Sequence, residues 1–126
     1  MKIYLSAALT HAPEEFKVFI ENLRIELKKD FEVLDFFGLG PGEPKDVYLY
    51  DKKCLDDCDL VMADVSYPAL GVGYEIGYAL AAHKRVMAFA KTDSYVGRMI
   101  KGITDPNFSF QTYKEPSEII QAVKNL

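Results

Sequence analysis

The sequence predicts a small doubly wound α/β fold, flavodoxin-like or Rossmann-like, in which a parallel five-stranded sheet carries helices on both faces. Two observations lead there. Five short apolar runs alternate with amphipathic segments, and such alternation implies a parallel sheet covered on both sides. At 126 residues the chain has room for one domain, spanning 1–126, that buries roughly two-thirds of its extended surface. Right-handed crossovers between successive strands then make the fold doubly wound.

In chain order the apolar runs are KIYLS (2–6), FEVLDF (31–36), DLVMADV (59–65), RVMAFA (85–90) and a weaker FSFQTY (108–113). Each reads as a strand. Between the first two, Phe16, Phe19, Ile20, Leu23 and Leu27 recur at three- and four-residue spacings, which predicts a helix over 13–29 with Pro13 near its start. Residues 44–57 carry Val47, Tyr48, Leu49, Cys54 and Leu55 on a second helix. Residues 72–84 form a third, 94–101 a short fourth, and 116–125 a last one with Ile119, Ile120 and Val123. The turn-rich GLGPGEP (38–44) suits a lid.

Composition excludes several classes of function. A formal net charge of −4 argues against a nucleic-acid polymer as partner, because such binding usually needs a basic face. Free nucleotides stay open, since a helix N-terminus and one or two cations can hold a phosphate. No apolar run approaches the ~20 residues that span a bilayer. The opening MKIYLSAALTHA has too short an apolar core for a signal peptide, and Glu14 and Glu15 follow at once. Cys54 and Cys58 lie four apart with neither histidine nearby, so two reduced thiols in a cytoplasmic protein are expected, with no metal site and no disulfide.

Ligands of such folds bind in the loops after the strands' carboxyl ends, here 6–12, 36–44, 64–72 and 91–98. The third of these runs into LGVGYEIGYALAAHKRV (70–86). Gly71, Gly73 and Gly77 have the spacing G-x-G-x-x-x-G, a poor match to a dinucleotide fingerprint. They read better structurally. Gly73, Gly77 and Ala81 make a smooth ridge for close approach of a helix or the sheet, and Gly71 lets the backbone turn. Glu75, placed in the first turn of the predicted helix, has two readings. It is either an acid favoured by the helix dipole or a nucleophile that the same dipole keeps ionised. Asp64 ends the third strand toward the same crevice, where a structural hydrogen-bonding role is expected, and Tyr48 and Tyr50 suit either packing or stacking on a base.

Three stretches together resemble the nucleoside 2-deoxyribosyltransferase superfamily, and within it the 2'-deoxynucleoside 5'-phosphate N-hydrolase branch. They are KIYLSAAL at the start, YDKKCLDDCDLVMADVSYPALGVGYEIGYALAAHKRV in the middle, and GRMIKG after it. The P-x-L-G-V-G-Y-E-x-G run is the most specific. The resemblance implies that Glu75 is the nucleophile, Asp51 the contact to the leaving base, and Tyr4 the hydroxyl that orients Glu75. It places Ser6, Ala69, Gly71, Gly73, Gly97, Arg98 and Met99 at substrate-binding positions. It further implies a homodimer with shared active sites, acting on a nucleoside or nucleotide without cofactor or metal. The residue types fit the chemistry, because cleaving an N-glycosidic bond needs a carboxylate to trap the oxocarbenium ion and help for the departing base.

The chain departs from the branch where the 5' position is read. The first loop, SAALTHAP, lacks the arginine and glycines of the branch. The motif serine, an aspartate in the transferases, is Ala69 here, and the serine or asparagine before R-M-I is Gly97. The function expected is cleavage of the N-glycosidic bond of a 2'-deoxyribonucleoside or its 5'-monophosphate through a glycosyl-Glu75 intermediate, by hydrolysis or by transfer to another base. The alternatives are a non-catalytic nucleotide-sensing module of the same fold and a flavin- or dinucleotide-binding protein.

Overall fold

A computed structural model of the protein describes residues 1–35 and 42–126. The expected lid at 38–44 falls mostly outside them. The elements run β1 (Lys2–Ala7), α1 (Glu14–Leu27), β2 (Glu32–Leu34), α2 (Pro44–Asp57), β3 (Leu60–Asp64), α3 (Leu70–Ala81), β4 (Arg85–Lys91), α4 (Arg98–Lys101), β5 (Phe108–Tyr113) and α5 (Pro116–Lys124). All strand pairs are parallel, and the sheet order is β2-β1-β3-β4-β5. This is the doubly wound arrangement that the alternation predicts. The direction of winding reverses between β1 and β3, so the crevice of such a sheet opens at their carboxyl ends.

Strand alternation divides the core in two. Ile3, Leu5, Leu60, Met62, Met87 and Phe89 face α1 and α5, where Phe16, Ile20, Leu23, Leu27, Ile119 and Val123 cover them. Tyr4, Val61, Ala63, Val86, Ala88 and Ala90 face the other way, onto Cys54 and Leu55 of α2 and Val72, Ile76 and Ala79 of α3. Small alanines on that side let α3 sit close to the sheet. Tyr4 and Ser6 share this face because they are two residues apart on one strand.

The helix ends follow from local chemistry. Pro44 opens α2, where a missing N–H costs nothing. Glu115 and Glu118 form a reciprocal capping box at the start of α5. The third helix covers 70–81 rather than the expected 72–84, with Ala69 extended at its N-cap. Packing of Val72, Ile76 and Ala79 on the sheet outweighs the poor helix propensity of Gly71 and Gly73. At its other end His83 adopts a left-handed conformation, φ 61°. The His83 N–H donates to the Leu80 carbonyl at 3.0 Å and the Lys84 N–H to that of Ala79 at 2.8 Å, a Schellman closure made without glycine. The Lys84 ammonium then donates to the carbonyls of Asp56 and Cys58, both at 2.8 Å, tying the end of α2 to the end of α3.

Candidate active site

On the α2–α3 side of the sheet, at the β1/β3 switch point, one carboxylate receives two hydroxyls. Glu75 projects from α3 beside the buried stripe of Val72, Ile76 and Ala79, and is itself half-buried. The Tyr4 hydroxyl donates to its Oε2, and the Ser6 hydroxyl donates to Oε1 at 2.7 Å. Both donors come from β1 and are almost wholly enclosed.

Electrostatics fix which group carries the proton. Burial, followed by the negative charge of Glu75, lifts the Tyr4 phenol far above its ordinary range, so it remains a donor. Burial also raises Glu75, the two hydroxyl bonds pull it back down, and the charge of Asp51 pushes it up again, leaving it above the ordinary carboxylate range. Asp51 on α2 thus lies near enough to act on both Tyr4 and Glu75. Glu75 stands in the second turn of α3, not the first as the sequence suggested, because the helix begins at Leu70. Dipole stabilisation fades within one turn, so the hydroxyls and not the dipole offset the cost of burying its charge.

A seam of exposed side chains keeps α2 and α3 in step. The Tyr48 and Tyr74 hydroxyls lie 3.2 Å apart, Tyr74 stacks on Tyr78, and Tyr78 donates to Asp56 at 2.5 Å. The Lys52 ammonium sits 5.5 Å from the centre of the Tyr78 ring. This seam joins the helix that bears Asp51 to the one that bears Glu75.

Other expected site residues lie apart from this cluster. Ala69 caps α3, and Gly71 and Gly73 follow in its first turn. Among the described residues, a Cβ added at Gly71, Gly73 or Gly77 would meet nothing within 4 Å. The small ridge of α3 therefore faces away from the chain's own helices and sheet, contrary to a role in packing against them. Gly97 caps α4, Arg98 is exposed, and Met99 is 87% exposed. Arg98 and Lys101 line a surface depression of about 470 Å³ together with Ser94, Tyr95, Val96 and Gly102. Val96, Ile100 and Ile103 pack on the same face of the sheet as Glu75.

Asp64 does not join Glu75. It lies on the α1–α5 side of the sheet with no exposed surface, accepting from the Tyr113 hydroxyl at 2.7 Å and the Ser66 N–H at 2.8 Å. This is the structural role expected of it. The Lys91 N–H donates to the Ser66 hydroxyl at 2.9 Å, and the Lys91 ammonium lies 5.3 Å from the Phe16 ring centre and 5.7 Å from that of Tyr67. The sequence reading missed the Ser6–Glu75 bond, although the two-residue spacing from Tyr4 was a usable signal. Nothing in the sequence marks Tyr113 as the partner of Asp64.

Among the described residues no group of three or more His, Cys, Asp or Glu could hold a metal ion, and no helix is long and apolar enough to cross a membrane. Cys54 and Cys58 are buried free thiols, and burial pushes Cys58 up to about 11.

Known proteins share this arrangement of chain. A provisionally named 2'-deoxynucleoside 5'-phosphate N-hydrolase 1 of Thermofilum pendens is 35% identical over 138 residues, covering 100% of this chain and 94% of the relative. The 5-hydroxymethyl-dUMP N-hydrolase of Branchiostoma floridae is 37% identical over 89 residues, 68% of this chain and 85% of that one. Among solved structures, the CMP N-glycosidase of Clostridium botulinum superposes with a TM-score of 0.78 at 26% identity, covering 99% of this chain and 98% of its own. The 2-desoxiribosyltransferase of Leishmania mexicana shares the fold, with a TM-score of 0.71 at 18% identity over 98% of this chain and 97% of its own. Residues 3–111, which hold Tyr4, Asp51 and Glu75, match the sequence profile of the nucleoside 2-deoxyribosyltransferases, and the chain belongs to that family of glycosidic-bond-cleaving enzymes.

Proposed function

We propose that this protein cleaves the N-glycosidic bond of a 2'-deoxyribonucleoside 5'-monophosphate or its nucleoside, with Glu75 as nucleophile. The observation that carries the reading is the half-buried Glu75 carboxylate, held by the Tyr4 and Ser6 hydroxyls with Asp51 beside it. An oxygen of Glu75 bonds to the anomeric carbon as the bond to the base nitrogen breaks, and the electron pair leaves with the base. Asp51 contacts that base and assists its departure. Water then attacks the same carbon as its bond to Glu75 breaks, which releases the sugar and restores Glu75. The proton that water loses balances the one the departed base takes up; a second base in place of water gives transfer. A 2'-deoxy sugar favours this course, because no electron-withdrawing 2'-hydroxyl opposes the cationic transition state.

Monophosphates head the substrate list because three relatives are named for monophosphate substrates. With Ala69 and Gly97 offering no polar side chain, the phosphate relies on amides near Gly71–Gly73 and on a cation, for which Arg98 is the candidate. A homodimer completes the site. Leu70 at 96%, Met99 at 87% and Tyr95 at 81% exposure, with the open Gly73–Gly77–Ala81 ridge, supply a surface that a second copy would cover.

The test is free-base release from a panel of deoxynucleosides, their 5'-monophosphates and CMP, with and without an acceptor base. Release by the native protein and its loss by several orders of magnitude in Glu75→Gln are expected. Activity of Glu75→Gln within about tenfold of native would reject covalent catalysis by this residue.

A further inference from the structure

We infer that Ser6 is a positioning residue, which with Tyr4 grips both oxygens of Glu75 and so sets the plane in which that carboxylate meets its substrate. The inference rests on the role proposed for Glu75.

A single hydrogen bond leaves a glutamate free to turn about its last torsion, which has broad, roughly two-fold preferences. Two bonds, one to each oxygen, remove that freedom. Here both donors come from one face of one strand, two residues apart, so they are spaced by the strand itself and not by mobile side chains. The backbone that carries the clamp is held by the sheet, since Tyr4 pairs with both β2 and β3 and Ser6 pairs with β3.

The surroundings of Ser6 say the same. In the sheet it lies beside Ala63, followed by Ala88 and then Phe110, a row otherwise without a polar side chain. At 2% exposure its hydroxyl has little water to turn to, and a buried hydroxyl without an acceptor is costly. An alanine would suit that row, and Ser6 instead brings a donor to Glu75 at 2.7 Å. Among the described residues, three groups act on the carboxylate from the elements around it. Tyr4 and Ser6 of β1 hold its charged form, and the Asp51 charge on α2 opposes it. Removing the Ser6 donor therefore shifts Glu75 toward its protonated, non-nucleophilic form.

The experiment compares the native protein with Ser6→Ala and Ser6→Thr by two readouts. One is the titration of Glu75 followed by carboxyl carbon NMR, its signal assigned by loss in Glu75→Gln. The other is kcat and KM for base release against pH. Ser6→Ala is expected to raise the Glu75 midpoint by about one pH unit, as loss of a hydrogen bond to a charge implies. It should also lower kcat about tenfold below that midpoint with KM within about twofold, and Ser6→Thr should restore both. An unchanged Glu75 midpoint in Ser6→Ala overturns the clamp, and a raised KM with unchanged kcat makes Ser6 a substrate contact instead. Failure of the native protein to release any base would reject the proposed reaction and the catalytic role of the clamp together. The NMR titration, which needs no turnover, would then still show whether Ser6 holds Glu75.

Discussion

Tyr4 and Glu75, 71 positions apart in the chain, share a hydrogen bond in which the phenol is the donor. Its direction follows from burial. A phenol lifted far above its ordinary range cannot give up its proton to a carboxylate, so the charge stays on Glu75. The Tyr4 and Ser6 hydroxyls thereby favour the ionised form of Glu75, which burial and the charge of Asp51 oppose.

That balance makes Glu75 costly to the fold, and the cost depends on pH. Its folded pKa is raised above the ordinary 4.5, so between those two values the folded state binds more protons than the unfolded chain. Stability therefore falls as pH rises through that window and levels off above it. Glu75→Gln has no such term. Chemical unfolding across pH should show the stability of Glu75→Gln relative to native increasing through the window and constant beyond it. A flat difference would contradict the raised pKa.

Asp51 acts on the base in this reading, not on the sugar. Asp51→Asn should slow substrates with poor leaving bases by roughly a factor of ten or more beyond its effect on activated ones, because a contact that assists departure matters most where the base leaves poorly. Equal losses on both would make Asp51 structural. Steady-state rates on a leaving-group series provide the comparison.

Gly77 separates assembly from folding. Among the described residues a Cβ there meets nothing within 4 Å, and leucine is the better helix former by roughly 0.5–1 kcal/mol. Gly77→Leu should leave the monomer folded, at equal or higher stability, while weakening any dimer that uses the α3 ridge. Sedimentation velocity across micromolar concentrations decides. An unchanged dimer, or a native protein that is monomeric and fully active, would remove the ridge from consideration.

Arg98 is tested by the substrate's phosphate. A charge-assisted bond to phosphate is worth about 1.5–3 kcal/mol, so Arg98→Ala should raise KM for a deoxynucleoside 5'-monophosphate roughly tenfold or more. KM for the plain nucleoside should hardly move. Identical effects on the two would show that Arg98 does not read the phosphate.

The pair of Asp64 and Tyr113 bears on stability alone. Tyr113→Phe removes one of the donors to a carboxylate with no exposed surface, at a cost of about 1.5–3 kcal/mol. Urea unfolding should detect it, with kcat unchanged because Asp64 lies on the opposite face of the sheet from Glu75. A loss of activity greater than the loss of folded protein would contradict that separation.

The sequence by itself determined the sheet, its alternating helices and the identity of the family, because these depend on short-range pattern. Apolar runs, three-and-four spacing and Pro44 at a helix start act within a few residues of one another. The P-x-L-G-V-G-Y-E-x-G run likewise carries its signal in contiguous residues. The limits of elements were less legible. The start of α3 moved to Leu70 because the burial of Val72, Ile76 and Ala79 overrides glycine's local preference, and this took Glu75 out of the first turn. Only the tertiary structure decided which groups meet. The Ser6–Glu75 bond and the Asp64–Tyr113 bond join residues 69 and 49 positions apart. Each depends on strand order, register and the face to which a side chain points, and a one-residue slip of register would have undone either.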